Sequence, residues 1–157
     1  PKSGNLLLTG GTGLGKTFLS AAIARVVAAK GCGVAYDTAS GLLASFEREK
    51  FSRDTDEVSD AASRVRQLMS CDLLILDDLG TETATAVTLS HFFTCLNERL
   101  LRQKSVIIST NLSLEDCRNR YQDRIFSRIA SNFEFCKLTG PDIRMCKKVS
   151  AVSGPVR

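Results

Sequence analysis

"GGTGLGKTFLS" occupies residues 10–20 and follows a short apolar run, Asn5-Leu6-Leu7-Leu8-Thr9. Four glycines, Gly10, Gly11, Gly13 and Gly15, free the backbone so that successive N–H groups can turn inward. From Lys16 onward the residues favour a helix, whose positive end then points at whatever those amides surround. Gly10 to Thr17 fit the spacing G-x-x-x-x-G-K-[ST]. In that pattern the amides of Gly10, Gly11, Thr12, Gly13, Leu14 and Gly15 cradle a polyphosphate. Lys16 brings a mobile charge to the outer phosphates, and Thr17 offers a hydroxyl to Mg²⁺. Phe18, next in the chain, is grouped with these cofactor-binding residues. The expected cofactors are ATP or ADP with Mg²⁺. The stretch also decides the fold, because the pattern requires a strand before it and a helix after it.

Working outward, strands and helices alternate. "NLLLT" (5–9) reads as a buried strand and 16–30 as a helix, with Leu19, Ile23, Val26 and Val27 on one side. "VAYD" (34–37) reads as a strand and 40–51 as a helix. The polar run 52–60 reads as a loop or cap before a helix over 61–69. "DLLILDD" (72–78) has the near-continuous apolar character of a strand covered on both faces. A helix over 86–103 turns Leu89, Phe92, Phe93, Leu96 and Leu100 inward. "SVIIST" (105–110) is a further strand, 114–130 one or two short helices, and 133–138 a last strand. Such alternation predicts an α/β fold of three layers, a parallel five-stranded sheet with helices on both faces. Ligands of such sheets bind at the carboxyl ends of the strands.

Phosphoryl transfer needs a carboxylate at the end of a neighbouring strand to hold the metal. "LLILDD" supplies Asp77 for that position and Asp78 immediately after it as the group that polarises the attacking water. Aspartate is one methylene shorter than glutamate, so slow hydrolysis is expected, with Glu82 of "LGTETA" as the alternative water activator. "SVIISTN" ends in Thr110-Asn111, placing Asn111 where it would touch the γ-phosphate or orient the water, or cap the next helix.

The chain has 157 residues, 43% hydrophobic and 24% charged, with a net charge of +4. That suits one folded domain over 1–150 with a flexible tail over 151–157. Basic residues predominate after Arg102, with Arg118, Arg120, Arg124 and Arg128 close together. Arg120, Arg124 and Arg128, spaced by four, would share a helix face. An arginine supplied by a neighbouring molecule accelerates triphosphate cleavage by roughly three to five orders of magnitude, so self-association through the nucleotide site is expected. Six scattered cysteines without a CxxC pair read as reduced, mostly buried thiols of a cytoplasmic protein. They lack zinc-ligand spacing, and His91 reads as an ordinary helix residue. No apolar run approaches the roughly 18 residues of a membrane span, so no membrane partner is expected.

"GGTGLGKT", "LLILDDLGTE", "IISTNLS", "YQDRIFSRI" and "GPDIR", in this order, resemble the ATPase domain of the DnaC/DnaI-type bacterial helicase loaders. That group belongs to the AAA+ superfamily of P-loop ATPases, with the IstB transposition helpers as relatives. The resemblance runs from Asn5 to about Lys148. It implies that Asn111 is the first sensor, that Arg128 is the arginine finger with Arg124 beside it, and that Arg144 is a second sensor although the usual C-terminal lid is absent or reduced. The helix 40–51 resembles the segment that contacts single-stranded DNA, with Phe46 or Phe51 as a stacking surface and Lys50 and Arg53 near phosphates. The implied partners are a replicative DnaB-type helicase and single-stranded DNA. The chain starts almost at its first strand, so the helicase-gripping N-terminal segment of such loaders is expected to be missing, as in a domain fragment. The expected function is an ATP-hydrolysing helicase loader. A transposition helper, a nucleotide-binding module with little turnover and a small-molecule kinase are the alternatives.

Overall fold

The computed structural model describes residues 4–51 and 55–143. In chain order the elements are β1 (Leu6–Thr9), α1 (Lys16–Ala29), β2 (Val34–Thr38), α2 (Ala39–Phe51), α3 (Thr55–Ser70), β3 (Leu73–Leu79), α4 (Ala86–Leu101), β4 (Ser105–Thr110), α5 (Leu114–Asn132) and β5 (Glu134–Lys137). The five strands form one sheet in the order β2-β3-β4-β1-β5. All neighbours are parallel. Leu7 lies opposite Ile108 on one side and Phe135 on the other, which seats β1 between two strands made late in the chain. The chain belongs to the α/β P-loop NTPase fold.

Alternation along each strand divides the core into two faces. One face carries Leu7, Leu74, Leu76, Val106 and Ile108. Leu42 and Leu43 of α2, Leu68 of α3, Phe92 and Leu96 of α4, and Tyr121 and Ile125 of α5 cover it. Among the described residues, the helix that covers the other face, with Leu8, Leu73, Ile75 and Ile107, is α1, through Ile23, Ala24 and Val27. Crossovers from β1 and β4 therefore pass on opposite faces, and a crevice opens between the carboxyl ends of these adjacent strands.

On α1, Ile23 and Val27 pack on the sheet, whereas Leu19 and Val26, on the same side of the helix, are 36% and 57% exposed. At about 100° per residue Ile23, Val27 and the buried Ser20 span about 60°, and Leu19 and Val26 fall about 40–60° beyond that stripe. Three expectations need correction. The run expected as a loop is helical from Thr55, with Asp56 and Glu57 in the first turn of α3, where the helix dipole favours acids. The described thiols are only partly internal: Cys95 and Cys117 are buried, Cys71 is half-buried, and Cys32 and Cys136 are exposed, while Cys146 lies outside the described residues. Burial pushes the Cys95 thiol up to about 12. Finally, α5 breaks at Gln122 (φ 60°, ψ 161°), which separates Arg120 from Arg124 and Arg128.

Local chemistry explains how the helices are held. Thr85 and Thr88 cap α4 reciprocally, with side-chain oxygens accepting backbone N–H groups at 3.1 and 2.8 Å. Ser113 and Asp116 do the same for α5. Arg99 is wholly buried and donates to the carbonyls of Leu68, Met69 and Cys71 and to that of Ser105 at 2.8–3.2 Å. It satisfies the orphan acceptors at the end of α3 and fastens them to the start of β4.

Candidate functional site

The loop between β1 and α1 takes the conformation its glycines permit. Gly13 and Gly15 have φ of 77° and 88°, and a Cβ on Gly13 would fall 1.9 Å from Asp142 Oδ1. Lys16, buried at the head of α1, donates from Nζ to the carbonyls of Gly10 (2.6 Å) and Gly11 (2.7 Å) and to Asn111 Oδ1 (2.6 Å). That ammonium joins the first strand's loop to the end of β4, 95 residues away.

Behind the lysine sits a buried carboxylate. Asp77 Oδ2 accepts from Thr17 Oγ1 at 2.8 Å and from the Tyr36 hydroxyl, and Oδ1 accepts from Ser109 Oγ. Burial alone would raise its pKa, but these hydrogen bonds from Ser109, Tyr36 and Thr17, with the Asp78 amide, together hold it below the usual carboxylate range. Burial first, and then the adjacent Asp77 carboxylate, push the Tyr36 phenol well above its ordinary value, so it remains a donor.

Consecutive strand residues point to opposite faces, so Asp77 and Asp78 should not serve one site. The strand breaks its own rule here. Asp78 has φ 55°, and the β3–β4 register slips between Leu76 and Leu79. The left-handed residue, tolerated better by aspartate than by most side chains, turns Asp78 into the cleft. The cleft, about 690 Å³, is lined by residues 12–18, Ala21, Asp78, Asn111 and Ile143. Phe18, 80% exposed, forms an apolar rim with Ala21 and Ile143.

The hard oxygen donors Thr17 Oγ1 and Asp77 fit Mg²⁺, which is held by one or two carboxylates together with phosphate oxygens and water. Among the described residues no group of three or more His, Cys, Asp or Glu side chains is placed to hold a metal by protein ligands alone. Polyphosphate fits the same corner, where loop amides, the start of α1 and the Lys16 ammonium converge.

Glu82 lies elsewhere. Its buried carboxylate accepts from the Tyr121 hydroxyl, from the Gly80 amide at 2.9 Å and from Arg120 Nε at 3.5 Å. It pins the first half of α5 and does not line the cleft. The break at Gln122 turns the remaining arginines away from it. Arg124 stacks over the Phe93 ring with its guanidinium carbon 4.2 Å from the centroid, and Arg128 lies 5.9 Å from the same ring. Neither lines the nucleotide cleft; both border a shallow pocket on the α4–α5 surface. At the end of α2, Phe51 is 62% exposed with Lys50 Nζ 5.7 Å from its ring centre. Phe46 instead stacks on His91 at 5.3 Å and packs against the core. Arg53 and Arg144 lie outside the described residues.

Sequence reasoning missed Tyr36 and Ser109. Both reach Asp77 from strands flanking β3, so their signal is polarity within otherwise apolar strands read through the sheet register.

This site on this fold defines a P-loop nucleotide-binding domain. The family model for IstB-like ATP-binding proteins matches residues 1–149, and the chain belongs to that family. It is 33% identical over 132 residues to the chromosomal replication initiator protein DnaA of Zymomonas mobilis, across 80% of this chain and 25% of that protein. The chain thus spans a quarter of that relative's length. Among solved structures, the DnaC helicase loader superposes with a TM-score of 0.74 at 24% identity, covering 88% of this chain and 80% of that one. A replication initiator DnaA bound to AMPPCP and single-stranded DNA gives 0.73 at 21% identity, covering 99% and 47%. Among the described residues no helix is long and apolar enough to cross a membrane.

Proposed function

We propose that this domain is a Mg²⁺-dependent ATPase that acts as a helicase loader, assembling through nucleotide and holding single-stranded DNA while a DnaB-type helicase is placed on it. The observation that carries this reading is the separation of two half-sites. Lys16, Thr17, Asp78 and Asn111 line one cleft, with Asp77 bonded to Thr17 beneath it, and among the described residues no arginine lines that cleft, while Arg124 and Arg128 stand exposed on another surface.

Residues 10–18 hold the ATP polyphosphate, and Thr17 with Asp77 holds Mg²⁺, which neutralises charge on the phosphates. Asp78 polarises the attacking water from its turned-out position, and Asn111 senses the γ-phosphate through the contact it now makes with Lys16. Arg128, supported by Arg124 and Phe93, completes the cleft of a neighbouring copy. Arg144 serves as second sensor. Phe51 offers a stacking surface for a base beside Lys50 and Arg53. Residues 1–150 form the ATPase unit, and the working compartment is the cytoplasm.

Phosphate release with and without single-stranded DNA, over a range of protein concentrations, tests the reading. Turnover that rises with both supports it; nucleotide binding without turnover under every condition overturns the hydrolytic part. The family match to IstB-like proteins favours a second reading, an insertion-sequence helper, for which duplex rather than single-stranded DNA would stimulate turnover.

A further inference from the structure

Asp77 is approached from three elements, and one of them carries none of the motifs that define the site. Thr17 comes from α1, Ser109 from β4 and Tyr36 from the edge strand β2. The register sets Tyr36 beside Ile75 and Thr38 beside Asp77. The phenol thus starts two residues behind the carboxylate and spans that distance along the face that α1 covers. Its hydroxyl and that of Thr17 donate to the same oxygen, Oδ2. A carboxylate offers about four acceptor directions. With three side-chain donors in place, its remaining capacity and its orientation are largely fixed.

We propose that Tyr36 is a positioning residue for the metal corner: its hydroxyl, acting with Thr17 and Ser109, holds Asp77 in the single orientation presented to a nucleotide-bound divalent cation. The inference rests on the reading of Thr17 and Asp77 as the Mg²⁺ corner and adds a residue that no motif assigns to it. Tyr36 touches neither the phosphates nor the cation in this role. It acts through Asp77, as partners of metal-ligating carboxylates do, where loss of one such contact costs about 10- to 100-fold in metal affinity.

Tyr36→Phe in the full chain keeps the ring and removes only the donor. ADP binding is measured by calorimetry in EDTA and then across a Mg²⁺ titration. The expected result is an ADP affinity within about twofold of the parent in EDTA, and a Mg²⁺ requirement for tight binding raised about tenfold. A second readout uses the chain's own fluorophores, since it has two tyrosines and no tryptophan. Mg²⁺ added to the ADP complex should change tyrosine emission in the parent and leave the Tyr36→Phe variant, which retains buried Tyr121, unchanged. A variant with the parent's Mg²⁺ midpoint overturns the positioning role while the nucleotide reading stands. ADP affinity lost equally with and without Mg²⁺ also overturns it, by making Tyr36 a general support of the cleft. Failure of the parent itself to bind ADP with Mg²⁺ overturns both.

Discussion

The nucleotide cleft and the arginine surface are built on opposite plans. At the cleft the two buried charges are engaged: Lys16 with two loop carbonyls and Asn111, Asp77 with three hydroxyls. On the outer half of α5, Arg124 and Arg128 rest on one aromatic ring, and among the described residues neither is paired with a carboxylate. A preorganised group is already in its working geometry, whereas a stacked guanidinium keeps its in-plane donors for another acceptor. The contrast describes a finished half-site and a half-site waiting for a counterpart.

The largest expected effect tests that division. Arg128→Ala should lower turnover of the assembled protein by about three orders of magnitude while leaving ADP affinity within about twofold, read by phosphate release beside calorimetry. If affinity falls in step with turnover, the two regions form one site within a single copy and the comparison breaks. Next in size, Lys16→Ala should weaken ADP binding about 100-fold, the loss of charge-assisted hydrogen bonds to phosphate, whereas the same change at Arg124 should leave binding intact.

Acid should separate the regions more gently. Asp77 is held below the usual carboxylate range in the fold, so it contributes stability above its unfolded value of about 3.9, and that stability is lost as pH falls through its lower folded value. Thermal melts between pH 7 and pH 3 should therefore show the parent losing an acid-sensitive component that Asp77→Asn lacks. The smallest effect belongs to the break in α5. Gln122→Gly should raise stability by about 1 kcal/mol, because φ 60° with ψ 161° suits glycine, and should leave nucleotide binding unchanged. Denaturant midpoints would read it.

Legibility of the site follows sequence distance. Gly10 to Thr17 are contiguous, and their spacing carries their geometry. Asp77 and Asn111 follow from apolar runs long enough to be strands, whose carboxyl ends must lie together in a parallel sheet. What stayed hidden depends on one residue's conformation or on register. The left-handed turn at Asp78 reverses the alternation that a strand predicts. Gln122 looks like any helical glutamine, yet its backbone parts Arg120 from Arg124 and Arg128, which the spacing had aligned. Tyr36 and Ser109 become neighbours of Asp77 only once the strand order is known. Glu82, equally acidic and close in sequence to Asp78, is drawn away by Tyr121 and Arg120, residues about 40 positions further on.

The place of β1 in the sheet has a consequence for how the molecule is made. Of the five strands β1 is made first, but its hydrogen-bonding partners, β4 and β5, emerge about 100 and about 130 residues later. Leu7 and Leu8 must wait unpaired until β4 has been made, and the glycine loop that follows them meanwhile has no rigid strand to anchor it. Contacts of such long sequence separation form late. A nascent chain therefore cannot use ATP to guide its own early folding, and nucleotide can stabilise only what is already complete.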